Sequence, residues 1–476
     1  MGKFKIPEVA QTAGQYIAAL RKSVPSLARQ ELIDALDVIS ERLKADIINS
    51  RTEIKVAGRS YYVANGGSDT NDGASPCRPW ASIARVNAAD LKPGDAVLFS
   101  RAGFFRGSLK AKEGVAYSAY GEGAKPILCA SLRNYASPAL WQKTGIKNVY
   151  AYAGRLKNVG IMAFDHSRII GKHDEITGKM KVSGVGGFTS QSDLRHDGEH
   201  YSDLADDKLY LYSESGNPGE RFASIEIAVR EGDNITAADG ITVDNLCLMY
   251  GNYGVASGAR KHLVVTNNIM CWMGGAILPN FGGADLTRSG NAVEIYGALD
   301  GYTVNHNYIY QVYDTAITHQ YSAHSEGDCH MKGVTYIGNL VECCHWSIEF
   351  YNQPRAGTNR TVSDVHIADN ILRNGGSWGS AGREAGATLF NSFRLPEDTK
   401  NFVAENNIFD RSAGLLLRLQ EGGDRGLEAK DNIYLQHKGG GFAFLFGREY
   451  KFDDKVQEVI KREYAEAHAI AVSREK

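Results

Sequence analysis

Along the second half of the chain, apolar residues sit five and three positions before an asparagine, again and again. The pairs are Leu263 and Val265 before Asn268, Tyr302 and Val304 before Asn307, and Val334 and Tyr336 before Asn339. Val365 and Ile367 precede Asn370, Phe402 and Ala404 precede Asn407, and Leu427 and Ala429 precede Asn432. Ile241 and Val243 before Asn245 are a looser match. Period-two alternation puts each pair on one face of a strand, and the asparagine at the turn that ends it. Between Tyr302 and Asn352 the unit of strand, asparagine turn and second strand occurs twice, with Ile317 ten positions after Asn307 and Ile348 nine after Asn339. Copies at this spacing lie over one another and predict a solenoid, with the asparagines stacked in an internal ladder that caps the backbone of neighbouring rungs.

From Asn245 to Asn432 the spacings are 23, 39, 32, 31, 37 and 25. The shortest two are about one bare coil, so the excess between Asn268 and Asn407 belongs to loops. Loops on a rigid scaffold carry specificity, which places the expected functional surface on those rungs.

The ends follow a different period. Leu32, Leu36, Ile39, Leu43 and Ile47 form a helical stripe, and Pro25 separates it from a first helix carrying Tyr16, Ile17 and Leu20. These helices are expected to cap an open end of the solenoid or, alternatively, to mediate oligomerisation. Val456, Val459, Ile460 and Tyr464 predict a second capping helix. Between about Asp165 and Arg230 the rung pattern lapses into a polar stretch, read as an inserted hairpin or subdomain, with Leu209–Tyr212 as a strand before a Gly-Asn-Pro-Gly turn. The expected organisation is a helical cap over 1–55, a β-helix over 56–446 with its insertion at 165–230, and a C-terminal helix over 447–476.

The segment YYVANGGSDTNDGASPCRPWASIARVNAADLKPGDAVLF, from Tyr61, gives a strand, a turn-rich loop, a short helix near Ala81–Val86 and a strand entered by Lys92-Pro93-Gly94-Asp95. It resembles the opening of right-handed parallel β-helix proteins of the pectate-lyase-like superfamily, many of which cleave polysaccharides. With the asparagine rungs the likeness covers about Tyr61 to Phe446. It implies an all-β fold, a right-handed parallel β-helix solenoid, and a carbohydrate partner. No catalytic motif matches residue by residue, so site residues rest on the pattern alone.

Composition narrows the partners. The chain has 476 residues and net charge −2, with 52 Gly, 24 Tyr and 11 Pro, which fits one turn-rich β body and no nucleic-acid surface. No run approaches the length of a transmembrane helix. Seven cysteines without a CxxC pair read as free, mostly buried thiols. The first residues lack the apolar core of a signal peptide, and Ile6 stands where myristoylation wants Ser or Thr. A cytoplasmic protein is expected, although a secreted one given without its leader reads the same.

Val293, Ile317 and Ile348 point inward, so Glu294, Thr318 and Glu349 point out. Counting five positions from Ile309 and Leu340 puts Asp314 over His345. Rungs stack at about 4.8 Å, so Glu294, Asp314, His319, His345 and Glu349 are expected to converge, although His319 has inward parity. Paired carboxyls suit glycosidic cleavage: one protonates the leaving oxygen, another activates water or attacks the anomeric carbon, and their proximity keeps one protonated. Trp272, Tyr296, Trp346, Tyr351 and Trp378 offer faces for sugar rings, and Arg355, Arg383 and Arg394 offer partners for a uronate.

Three functions use these residues. A glycoside hydrolase would employ two of Glu294, Asp314 and Glu349. A polysaccharide lyase would take a base such as His319 or His345, a lysine or an arginine, and a cation, arginine or calcium, to neutralise the substrate carboxylate. A non-catalytic glycan-binding or tailspike-like β-helix would need neither. His324, Glu326, Asp328, Cys329 and His330 match no ligand spacing, so no metal or cofactor is expected outside the lyase case. Oligomeric state is not legible.

Overall fold

The computed structural model describes residues 12–165, 188–258, 260–278, 288–322, 326–377 and 386–474. Its body is a parallel β-helix built on three ten-stranded sheets. Each turn of the coil gives one strand to each sheet. Leu299–Asn305, Tyr308–Val312 and Thr315–Tyr321 make one turn, and Cys329–Ile337, Leu340–Glu342 and Trp346–Asn352 the next. We number the sheets first, second and third in that order. Parallel register sets Val304 opposite Tyr336, Tyr308 opposite Leu340 and Ile317 opposite Ile348. The inward residues of all three sheets, among them Val304, Ile309, Ile317, Tyr336, Val341 and Ile348, form one continuous apolar core.

The asparagines form the ladder. Asn339 donates its backbone N–H and its Nδ2 to Asn370 Oδ1 at 3.0 and 2.9 Å, and Nδ2 also reaches Val304 O at 2.7 Å. The same pattern links Asn268, Asn307, Asn370, Asn407 and Asn432, all fully buried. Glu466 closes one end, accepting from both the N–H and Nδ2 of Asn432 at 2.9 Å. The residue before each rung is left-handed: Asn267 at φ 55°, His306 at 54°, Gly338 at 68°, Asp369 at 60°, Asn406 at 54° and Asp431 at 59°. Asn, Asp and Gly tolerate that conformation, which turns the chain from the first sheet into the second. Asn245, at φ 56°, holds this preceding place and is not a rung; Leu246 N–H meets Asn268 Oδ1 at 2.9 Å instead. That one-residue offset explains its looser spacing.

After each ladder asparagine an apolar residue points outward: Ile269, Tyr308, Leu340, Ile371, Ile408 and Ile433. Bare, they would leave the second sheet with a long greasy face. The helices Ala13–Ser23 and Arg29–Asn49 cover it with Tyr16, Ile17, Leu36, Ile39, Leu43 and Ile47. They therefore lie along the side of the coil and do not close an end, contrary to the expectation. Ion pairs fix the second helix: Lys44 with Glu342 at 3.0 Å and Asp37 with Arg373 at 2.6 Å and Arg474 at 3.0 Å.

Between Cys129 and Ile235 the chain leaves the coil, although Leu109 and Ile235 pair directly. The excursion holds an antiparallel sheet of His200–Asp203, Lys208–Tyr212, Val149–Tyr152 and Trp141–Lys143, with its own core around Trp141, Leu209, Leu211 and Ile227. It begins well before the expected boundary at 165. Strands such as Val149–Tyr152 are short and apolar like those of the rungs, and their antiparallel pairing sets them apart. The C-terminal segment also differs from the single helix expected over 447–476. It is a strand, Arg448–Lys451, a short helix, Val456–Arg462, whose Val456 and Ile460 bury in the core, and a strand, Ile470–Arg474, parallel to Ile433–His437.

Candidate active site

Register aligns the outward side chains of the third sheet in rows. Glu294 lies opposite Thr318, Thr318 opposite Glu349, and Glu349 opposite Asn391. The neighbouring row runs Tyr296, Gln320, Tyr351 and Phe393. Over these rows opens a cleft of about 440 Å³, with Glu294, Asp314 and Glu349 in its lining and Tyr296, Trp346 and Tyr351 as aromatic walls.

Asp314 sits in the bend between the second and third sheets. Seven positions separate Tyr308 from Thr315 but six separate Leu340 from Trp346, so the bend carrying Asp314 holds one residue more. Leu340 pairs with Tyr308 and not with Ile309. Trp346 N–H donates to Asp314 O at 3.0 Å, and Trp346 rather than His345 stands beside Asp314 in the cleft. His345 is 1% exposed, with its ring tilted against Trp346 at 5.2 Å.

The acids have different surroundings. Glu349 accepts from Thr315 Oγ1 at 3.2 Å, Gln320 Nε2 at 3.0 Å and Asn391 Nδ2 at 2.9 Å. Glu349 is 4% exposed, and these three side-chain donors hold its two oxygens in place. Glu294 is part-buried; burial pushes its carboxyl up to about 7, the negative charges of Asp314 and Asp233 add to this, and the Asn291 amide and Arg230 oppose it. Asn291 is itself fixed, accepting from Thr315 N–H at 2.8 Å. Glu294 is thus held protonated near neutrality, while Glu349 on the same sheet is fixed by neutral side-chain donors.

Other expected site residues lie elsewhere. His319 points into the coil, where its ring nitrogens meet Gly297 O and Asn352 Nδ2, each at 2.8 Å. Burial lowers it to about 4, which keeps it neutral and out of the cleft. Trp272 is wholly buried on the second sheet under the N-terminal helices, edge-on to Tyr310 at 5.9 Å. Arg394 lies over the Phe393 ring and pairs with Glu421, and Arg355 is exposed and outside the cleft lining. Trp378, Arg383 and His324 lie outside the described residues. Of the neighbours of His324, Asp328 accepts from Asn359 N–H at 2.7 Å and His330 meets Thr361 Oγ1 at 3.0 Å. Among the described residues no group of three or more His, Cys, Asp or Glu is placed to hold a metal, and no helix is long and apolar enough to cross a membrane.

Several lining or supporting residues carried no obvious sequence signal. Arg230 arrives at the exit of the insertion and stacks over Tyr253 at 5.3 Å. Gln320 and Asn391 could have been found by continuing the outward rows through Thr318 and Glu349.

Fold and site together define a parallel β-helix with an acid-floored, aromatic-walled cleft on its third sheet. No family model matches the sequence. An alignment of 120 positions, covering 22% of the chain, is 32% identical to a lacto-N-biosidase of Bifidobacterium longum subsp. longum, and it spans 7% of that protein. Among solved structures, the complex of XylC with xylose matches over 82% of this chain and 73% of that one, at TM-score 0.41 and 13% identity. The GH136 lacto-N-biosidase of Eubacterium ramulus matches over 94% and 71%, at TM-score 0.38 and 12% identity.

Proposed function

We propose that the protein is a glycoside hydrolase acting on an oligo- or polysaccharide, with Glu294 as general acid and Glu349 as the carboxylate that activates water. The observation that carries this reading is the contrast between the two acids in one cleft. Glycosidic cleavage asks for a carboxyl that still holds its proton near neutral pH and for a second that is charged. Glu294 meets the first need through burial and the nearby Asp314. We assign the second role to Glu349, whose two oxygens take donors from Thr315, Gln320 and Asn391. Trp346 and Tyr351 supply apolar surface for a sugar ring.

Glu294 and Glu349 are separated by one intervening strand, so their Cα atoms lie about 9.6 Å apart, two rung spacings. A carboxyl separation near this value leaves room for a water molecule, as an inverting mechanism requires. The local similarity to a lacto-N-biosidase is in keeping with a glycosidase.

A lyase is less well supported. It needs a base beside the substrate and a cation facing a uronate carboxylate. His319 is buried and neutral, and among the described residues the cleft lining sets three acids against one cation, Arg230, with Arg418 lying two rungs beyond Glu349. Product chemistry separates the two. A hydrolase yields reducing ends without an ultraviolet-absorbing double bond, and Glu294→Gln should spare nitrophenyl glycosides, whose leaving group needs no proton, far more than natural glycans.

A further inference from the structure

The outward rows continue past the cleft. Beyond Glu349 and Tyr351 the register passes to Asn391 and Phe393, then to Arg418 and Gln420. Phe393 stacks on Tyr351 with centroids 5.2 Å apart and planes at 2°, which extends the aromatic wall by one rung. Phe393, Arg418 and Gln420 are all part-exposed.

Arg418 differs from the other cations of this face. Arg394 is committed to Glu421 and the Phe393 ring, and Arg230 to the Tyr253 ring. Arg418 is half-buried and, among the described residues, has no hydrogen-bond or ion-pair partner; Glu349 and Glu449 act on it only through space. Its five donors in a fixed fork are therefore left to solvent, open to acceptors that a ligand could bring. Beside it, Asn391, 4% exposed, gives Nδ2 to Glu349 and leaves its Oδ1 unpaired.

We propose that Arg418, with the Tyr351–Phe393 stack, forms a second sugar subsite. The glycan then runs along the coil axis from the cleft, its next pyranose lying against the edges of the stacked rings and its oxygens taken by the Arg418 guanidinium. The oxygens that fit are a hydroxyl pair or a carboxylate, since both present acceptors to the fork. This rests on the hydrolase reading of the cleft.

The test is binding, kept apart from turnover. Glu349→Gln protein is probed on an array of neutral and uronate-bearing di- and tetrasaccharides, alone and combined with Arg418→Met, Arg418→Lys or Phe393→Leu. Far-ultraviolet circular dichroism checks that each variant is folded. The tetrasaccharide should bind more tightly than its disaccharide. Arg418→Met should cut that advantage by roughly tenfold or more, with Arg418→Lys restoring part of it and Phe393→Leu also lowering it. An advantage confined to the acidic series assigns the carboxylate, and one seen in both assigns the hydroxyls. An advantage that is absent, or unchanged in folded Arg418→Met, overturns the subsite. A wild type that cleaves no glycan overturns the hydrolase reading instead, whatever the array shows.

Discussion

Replacing Glu294 by glutamine should stabilise the protein at alkaline pH while impairing its chemistry. The folded-state value of Glu294, about 7, lies above its ordinary 4.5. Protonation therefore favours the fold: this contribution is complete below the unfolded value and is lost as pH rises through the folded one. Between pH 5.5 and about 7 the wild type loses 1.5 units of linkage, roughly 2 kcal/mol at 1.36 per unit, with nothing further lost above the folded value. Glutamine keeps an acceptor for the Asn291 amide and has no charge to bury. Urea unfolding of both proteins at pH 5.5 and 8.5 measures the effect as a difference of differences, which cancels titrating groups that do not act on Glu294, such as Lys125. The variant's advantage should widen by about 2 kcal/mol between those pH values, at unchanged m. An advantage equal at both would refute the claim that burial holds the proton on Glu294.

Further consequences follow from the same geometry. On natural glycans the wild-type kcat/KM should fall as pH rises through about 7, where Glu294 loses its proton, and on nitrophenyl glycosides this limb should be absent from wild type and Glu294→Gln alike. Product anomers followed by NMR should be inverted if Glu349 is the second carboxylate; retention would transfer that role to Asp314, on the neighbouring bend. Asn339→Ala removes four hydrogen bonds and strands Val304 O and Asn307 N–H in the core, so it should cost about 2–4 kcal/mol in urea unfolding. Arg373→Met withdraws a partner from fully buried Asp410, at 3.2 Å, and from Asp37 on the second helix; it should cost about 3 kcal/mol and speed proteolysis near residues 50–59.

The solenoid was legible because its most constrained positions repeat. A buried asparagine must meet an identical neighbour above and below, so its spacing survives loops of any length. Alternation about Ile317 and Ile348 likewise fixed Glu294 and Glu349 as outward, and register aligns them across Thr318. The side placement of the helices was hidden because Leu340 and Val341, or Ile371 and Leu372, are apolar on both faces, and no strand pattern says what covers the outer one. His319 had the parity of a core residue, and its imidazole made it look chemical nonetheless. Trp272 carries φ 56° and turns under the helices, a backbone choice that residue type does not announce. Arg230 reaches the cleft from an insertion whose docking only the folded chain reveals.

Wild type and Glu349→Gln should be incubated with neutral and uronate-containing glycans, with reducing ends and ultraviolet absorbance read together. New reducing ends without absorbance, falling by roughly 10²–10⁴ in the variant, are the predicted result. Absorbance that rises with the reducing ends, or hydrolysis that Glu349→Gln leaves intact, would contradict a hydrolase built on these two acids.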